Sequence, residues 1–143
     1  MFFRILFVTI LWTSSCFCLS LEKINVELNY PWGMTWIDST KLLITEKKSK
    51  QIILYDTKTN QFKFINHTIP VQGRDQGGLL DIISEGNTVW VSCSIKKDHL
   101  LTTAIFKSRL ENDSLVDTEL IFEALPYIGS GVHFGSRLRN TRR

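Results

Sequence analysis

The chain has 143 residues, 43% of them hydrophobic and 22% charged, with a formal charge of +3. That is one domain's length with enough apolar content for a core, which excludes a disordered or low-complexity chain. Much of the positive excess sits in Arg137, Arg139, Arg142 and Arg143, not on an element that interleaves cations with stacking aromatics, so nucleic-acid binding is excluded too.

Residues 1–20, MFFRILFVTILWTSSCFCLS, read as a secretory signal peptide. Arg4 precedes an apolar run from Ile5 to Trp12, too short to span a bilayer, and small polar residues follow. Cleavage after Cys16, Cys18 or Ser20 fits the small residues there. An uncleaved N-terminal anchor is the alternative, and acylation of Cys16 fits less well because Thr13 stands where a branched aliphatic is usual. Each version places the rest of the chain in an oxidising space, periplasmic or secreted. No membrane span is expected after the leader. Cys93, in TVWVSCS, is then a lone cysteine without an internal disulfide partner, and its strand-like setting predicts a buried small hydrophobe.

After the leader nearly everything reads as strand, and the expected class is all-β. INVEL, MTWI, KLLITE, QIILYD and QFKFI follow one another, separated by DST, KKSK and TKTN as turns. A second set, GLLDIIS, TVWVSCS, TAIFKSRL and DTELIFEAL, is separated by EGN, KKDHLL and ENDS. HFGSRL opens a third. Aligning the openings puts Asn29, Gln76 and His133 at matching points, 47 and 57 residues apart. A four-stranded repeat of that length predicts β-propeller blades, here about two and the start of another; an eight-stranded sandwich fits the strand count as well. Blades would bring the three matching residues to one mouth of a central channel. Two amides and an imidazole there can grip hydroxyls and accept a proton near neutral pH.

Other polar residues offer less. A His beside glycines is commonly a turn residue satisfied by the backbone, and Gln76 in DQGGLLD could cap a turn. His67 and His99 have no partner at metal-ligand spacing. Asp75, Asp81 and Glu85 form no carboxylate pair of the kind hydrolysis uses. Asn66 in NHT and Asn112 in NDS match the glycosylation sequon.

PWGMTWIDSTKLLITEK, QGGLLDI and HFGSRL, in that order, resemble the N-terminal third of the soluble aldose sugar dehydrogenases that use pyrroloquinoline quinone (PQQ), the glucose/sorbosone dehydrogenase family. The resemblance runs from about Val26 to Leu138, so residues 21–138 are expected to form N-terminal blades of a six-bladed propeller and 139–143 a non-family tail. It implies oxidation of an aldose at C1 to a lactone. His133 matches the base that takes the C1 hydroxyl proton while hydride passes to the quinone, and Gln76 matches a substrate-binding residue. The family's cofactor-binding arginines and lysine, its calcium site and the acid that orients the histidine lie in later segments. After HFGSRL the sequence departs into RNTRR. The expectation is therefore an N-terminal fragment that binds neither PQQ nor calcium and is inactive alone. The alternatives are a partial propeller docking on a partner chain that supplies the missing blades, and a sugar- or protein-binding module without catalysis.

Overall fold

The computed structural model describes residues 19–24 and 26–141. The expected leader lies almost wholly outside them. Among the described residues there are eight strands and no helix, so none is long and apolar enough to cross a membrane.

The strands form two four-stranded antiparallel meanders. The first sheet holds β1 (Pro31–Trp36), β2 (Lys41–Glu46), β3 (Gln51–Asp56) and β4 (Gln61–Ile65). The second holds β5 (Leu79–Glu85), β6 (Thr88–Lys97), β7 (Leu100–Glu111) and β8 (Ser114–Glu123), and each sheet keeps chain order from one edge to the other. Local chemistry sets the turns. Asp38 Oδ1 accepts the amides of Thr40 and Lys41 at 2.7 and 2.8 Å, closing the β1–β2 turn. The Thr40 amide is also the main reason the Asp38 carboxyl stays below its ordinary pKa. Asn112 and Asp113 both adopt positive φ, as the tight β7–β8 hairpin demands.

Alternation decides which face is buried. Leu43 on β2 and Ile52 on β3 point between the sheets, where they meet Ile82, Val89, Val91, Cys93 and Phe106 from the second sheet. Ile44, Ile53 and Tyr55 point the other way and form a smaller cluster, with Tyr55 stacked on Phe62 at 4.3 Å. Met34, Trp36 and Phe64 share that outer face and are 65%, 54% and 66% exposed. A cluster on one face with apolar side chains left bare on the other is the mark of a blade at the end of a stack.

Two hydroxyls show why the sheets are blades. Thr45 Oγ1 on β2 accepts the Gly33 amide at 2.9 Å and donates to the Leu80 carbonyl of the next sheet at 2.5 Å. Ser92 Oγ on β6 accepts the Asp81 amide at 3.0 Å and donates to the Ser136 carbonyl at 2.7 Å. The same clip thus joins each sheet's inner strand to the inner segment of the next. Both inner strands also break register at matching points, Pro31/Met34 and Leu79/Ile82. Residues 133–138 therefore take the place of a third inner strand, and the fold is a partial β-propeller whose two sheets do not close into a ring. A two-layer sandwich has no position for that third segment.

Three expected elements differ. Residues 24 and 26–28 of INVEL form no strand. Among the described residues they find no strand to pair with, and Leu28 instead packs on the outer cluster of Ile44, Ile53 and Tyr55. HFGSRL is not a strand either, since no neighbouring strand is present among the described residues to form a ladder with it. The expected KKDHLL break shrinks to Asp98–His99, because Lys96, Lys97, Leu100 and Leu101 pair across a longer hairpin.

Candidate functional site

The two loops that carry Gln76 and His133 are tied together from both sides. The Gln76 amide donates to the Gly131 carbonyl at 2.9 Å, and the His133 amide donates to Gln76 Oε1 at 3.1 Å. Fifty-seven residues of sequence are thus closed into one mouth. His133 has a φ of 66° and stays exposed. This left-handed backbone turns the chain sharply between its flanking glycines, which keeps the imidazole at the surface. Asp75 lies against Gly131, where a Cβ would stand 2.1 Å from its Oδ2, so glycine is what lets the two loops meet.

The second sheet provides the footing. Gly78 has a φ of 140°, and a Cβ there would sit 2.1 Å from the Lys47 carbonyl. Only glycine allows β5 to approach the first sheet this closely. The Gly78 amide donates to Ser94 Oγ at 2.7 Å. Beyond His133, buried Asp81 accepts the Leu138 amide at 2.7 Å and has Arg137 at 3.7 Å. The segment bearing His133 is therefore held by Gln76, Ser92 and Asp81, although it belongs to no ladder.

Asn29 does not join this pair. Its amide goes to Glu46 Oε1, and no hydrogen bond among the described residues links it to Gln76 or His133. The hydroxyl clips explain the difference. They relate Gly33 to Asp81 and Leu80 to Ser136, offsets of 48 and 56 residues in place of 47 and 57. Gly77, not Gln76, is then level with Asn29 and His133, and Gln76 reaches the imidazole-bearing backbone through its side chain from one residue upstream.

The sequence alone does not single out Trp32, Lys47 or Ser92, and it offers Asp81 only as a carboxylate without a paired partner. Trp32 Nε1 donates to Ser136 Oγ at 3.4 Å, and Lys47 Nζ stands 3.9 Å from the Trp32 ring centroid. Burial, with help from the neighbouring Lys48 charge, lowers the Lys47 pKa below the usual lysine value. The signal for Ser92 was available in principle: it stands where Thr45 stands one repeat earlier.

A cavity of about 400 Å³ opens beside His133, walled by Ser92, Thr103, Ile105, Phe122 and Phe134. A second, polar hollow of about 410 Å³ lies between Lys48, Gly73, Asp75 and Gly77. Among the described residues no group of three His, Cys, Asp or Glu is placed to hold a metal. His67 Nε2 is engaged with the Lys50 carbonyl at 2.9 Å. The cations near the mouth have other partners: Lys48 lies over Tyr30, and Arg74 lies 3.5 Å from Asp75. Together these residues can grip and deprotonate a hydroxyl. They do not form a cradle for a polycarboxylated quinone or a calcium ion.

Residues 28–142 match the family described as glucose/sorbosone dehydrogenase. An uncharacterized protein from Synechocystis, slr1608, is 30% identical over 123 residues, which cover 78% of this chain and 30% of the relative. The aldose sugar dehydrogenase YliI of Escherichia coli is 23% identical, covering 83% of this chain and 34% of its own length. A crystal structure of a glucose dehydrogenase superposes with a TM-score of 0.74 at 25% identity, over 81% of this chain and 36% of that one. The PQQ-bound aldose sugar dehydrogenase of Streptomyces coelicolor shares the fold, with a TM-score of 0.62 at 20% identity, over 74% and 34% of the two chains. The chain thus spans about a third of the length of the relatives it matches.

Proposed function

Because the chain belongs to the glucose/sorbosone dehydrogenase family, we propose that it supplies the sugar-side mouth of an aldose dehydrogenase that oxidises the C1 hydroxyl to a lactone. The joining of Gln76 to His133 at 3.1 Å carries this reading. In it, His133 is the general base. A neutral imidazole nitrogen accepts the proton of the C1 hydroxyl as hydride leaves C1, and the exposed ring can return that proton to water. Gln76 fixes the backbone of His133 with Oε1 and keeps its side-chain NH₂ free to donate to a sugar oxygen.

The electron acceptor in this reading is a quinone of the kind bound by the Streptomyces coelicolor relative. The donor set around His133 does not fit such a group, so its binding, and that of any calcium, falls to residues other than those described here. A partner chain or further chain length would supply blades that cover Met34, Trp36 and Phe64 at one end of the arc and Ile121, Phe122 and Leu125 at the other. Export to the periplasm or beyond belongs to the same proposal and rests on the apolar leader at residues 1–20.

Two measurements test it. Titration with D-glucose should move the amide resonances of Gln76 and His133 together. The purified 143-residue chain should give no dye-linked glucose oxidation when PQQ and calcium are added. A silent Gln76–His133 pair would defeat the sugar reading, and turnover by the chain alone would defeat the division of the site.

A further inference from the structure

Trp32 occupies the position in the first sheet that Leu80 occupies in the second and Ser136 in the third segment. Its indole N–H nevertheless reaches Ser136 Oγ, 104 residues away, at 3.4 Å. The second sheet lies between those two elements, so the contact can run only past the inner edges of the strands, on the channel side. Ser136 is three residues from His133, and its carbonyl is held by Ser92. Lys47 Nζ stands 3.9 Å from the ring centroid, yet the Trp32 side chain remains 48% exposed. Tryptophan is costly to leave in water. Here its edge is pinned and a cation sits on its ring, so the open area is fixed in direction.

We infer that Trp32 is the stacking wall of the sugar mouth. A pyranose has a polar rim and an apolar face of C–H groups. The indole offers a broad, electron-rich surface to that face, while Gln76 and His133 address the rim. Lys47 orients the ring through its charge and presents ammonium donors at the wall's edge. The ligand class is an aldose in its ring form; an acyclic polyol has matching hydroxyls but no rigid C–H face. This assignment rests on the sugar reading of the mouth.

The test is a titration of the ¹⁵N-labelled 143-residue chain, following the indole N–H resonances of Trp32, Trp36 and Trp90 beside the His133 amide. With D-glucose, the Trp32 and His133 signals should shift along one binding curve while Trp36 and Trp90 stay still. Mannitol should leave Trp32 unmoved. Trp32→Ala should weaken the His133 response about tenfold, whereas Trp32→Phe, which keeps a ring and loses the N–H, should stay within about threefold of the wild type. The wild-type and Trp32→Phe arms hold even if the alanine variant fails to fold. A His133 and Gln76 response with Trp32 silent overturns the wall and leaves the sugar reading intact. Silence at all three residues overturns both.

Discussion

Replacing Ser92 with alanine removes the clip between the second sheet and the segment that carries His133. Ser92 is 1% exposed, accepts the Asp81 amide at 3.0 Å and donates to the Ser136 carbonyl at 2.7 Å. Alanine has neither role, so two backbone groups lose a partner, one of them on buried Asp81. Each such loss costs about 1–3 kcal/mol. The Ser136 carbonyl lies on a partly exposed segment and can turn to water, so the expected total is about 2 kcal/mol. The loss should be local. Amide exchange at Asp81, His133 and Leu138 should quicken about thirtyfold, while amides of β2 and β3 in the first sheet stay protected. Ser92→Thr should restore the wild-type rates, because Thr45 makes the same clip one repeat earlier. Hydrogen exchange read by NMR decides the matter. Unchanged exchange at Leu138 and His133 in Ser92→Ala, with Asp81 alone affected, would show that the clip does not hold the segment and would refute the blade argument built on it.

Gly78→Ala should destabilise the whole chain by more than about 3 kcal/mol, because the new Cβ combines an unfavourable positive φ with a clash against the Lys47 carbonyl; urea denaturation checks it. Gly131→Ala should destabilise the junction of the two loops and shift the Gln76 and His133 resonances, since its Cβ would meet Asp75 Oδ2 at 2.1 Å and Asp75 Cβ at 2.9 Å, and rotation of the carboxylate relieves only the first. Burial pushes the Cys93 thiol up to about 12 from an ordinary 9.0. The unfolded chain therefore ionises first, so the stability due to a neutral thiol is intact below pH 9 and is lost as pH rises toward 12. Urea midpoints should fall more steeply over that window in the wild type than in Cys93→Ala, and a thiol reagent at pH 8 should label Cys93 only after denaturation. Trp36→Lys and Phe64→Lys should each reduce binding of an apolar dye to the native chain without lowering the unfolding midpoint, because both side chains are more than half exposed.

The blades were readable because alternation and turn chemistry act locally. KLLITE, QIILYD and QFKFI became β2, β3 and β4 with little change, each bounded by the expected turn residues. Residues 24 and 26–28 of INVEL carry the same alternation and form no strand, since a strand needs a neighbour as well as a pattern and none is present among the described residues. That Gln76 and His133 come together was legible through the repeat, which brings distant positions side by side. Asn29 was misplaced relative to Gln76 because the inner strands correspond at an offset of 48 residues, as their matching register breaks show, and a slip of one residue leaves little trace in composition. The roles of Trp32 and Asp81 were not legible for another reason. Their partners, Ser136 and Leu138, are set by the packing of a third segment on the second sheet, and nothing in the spacing of either residue announces that contact.

The radial arrangement is tested most directly by a through-space NMR experiment on the 143-residue chain, recording contacts from the side chain of Gln76. The account predicts a cross-peak between the Gln76 side chain and the His133 amide, accompanied by one between the Trp32 indole N–H and the Ser136 β protons. A spectrum in which Gln76 and Trp32 contact only their own sheets, with residues 133–138 free of both, would contradict it.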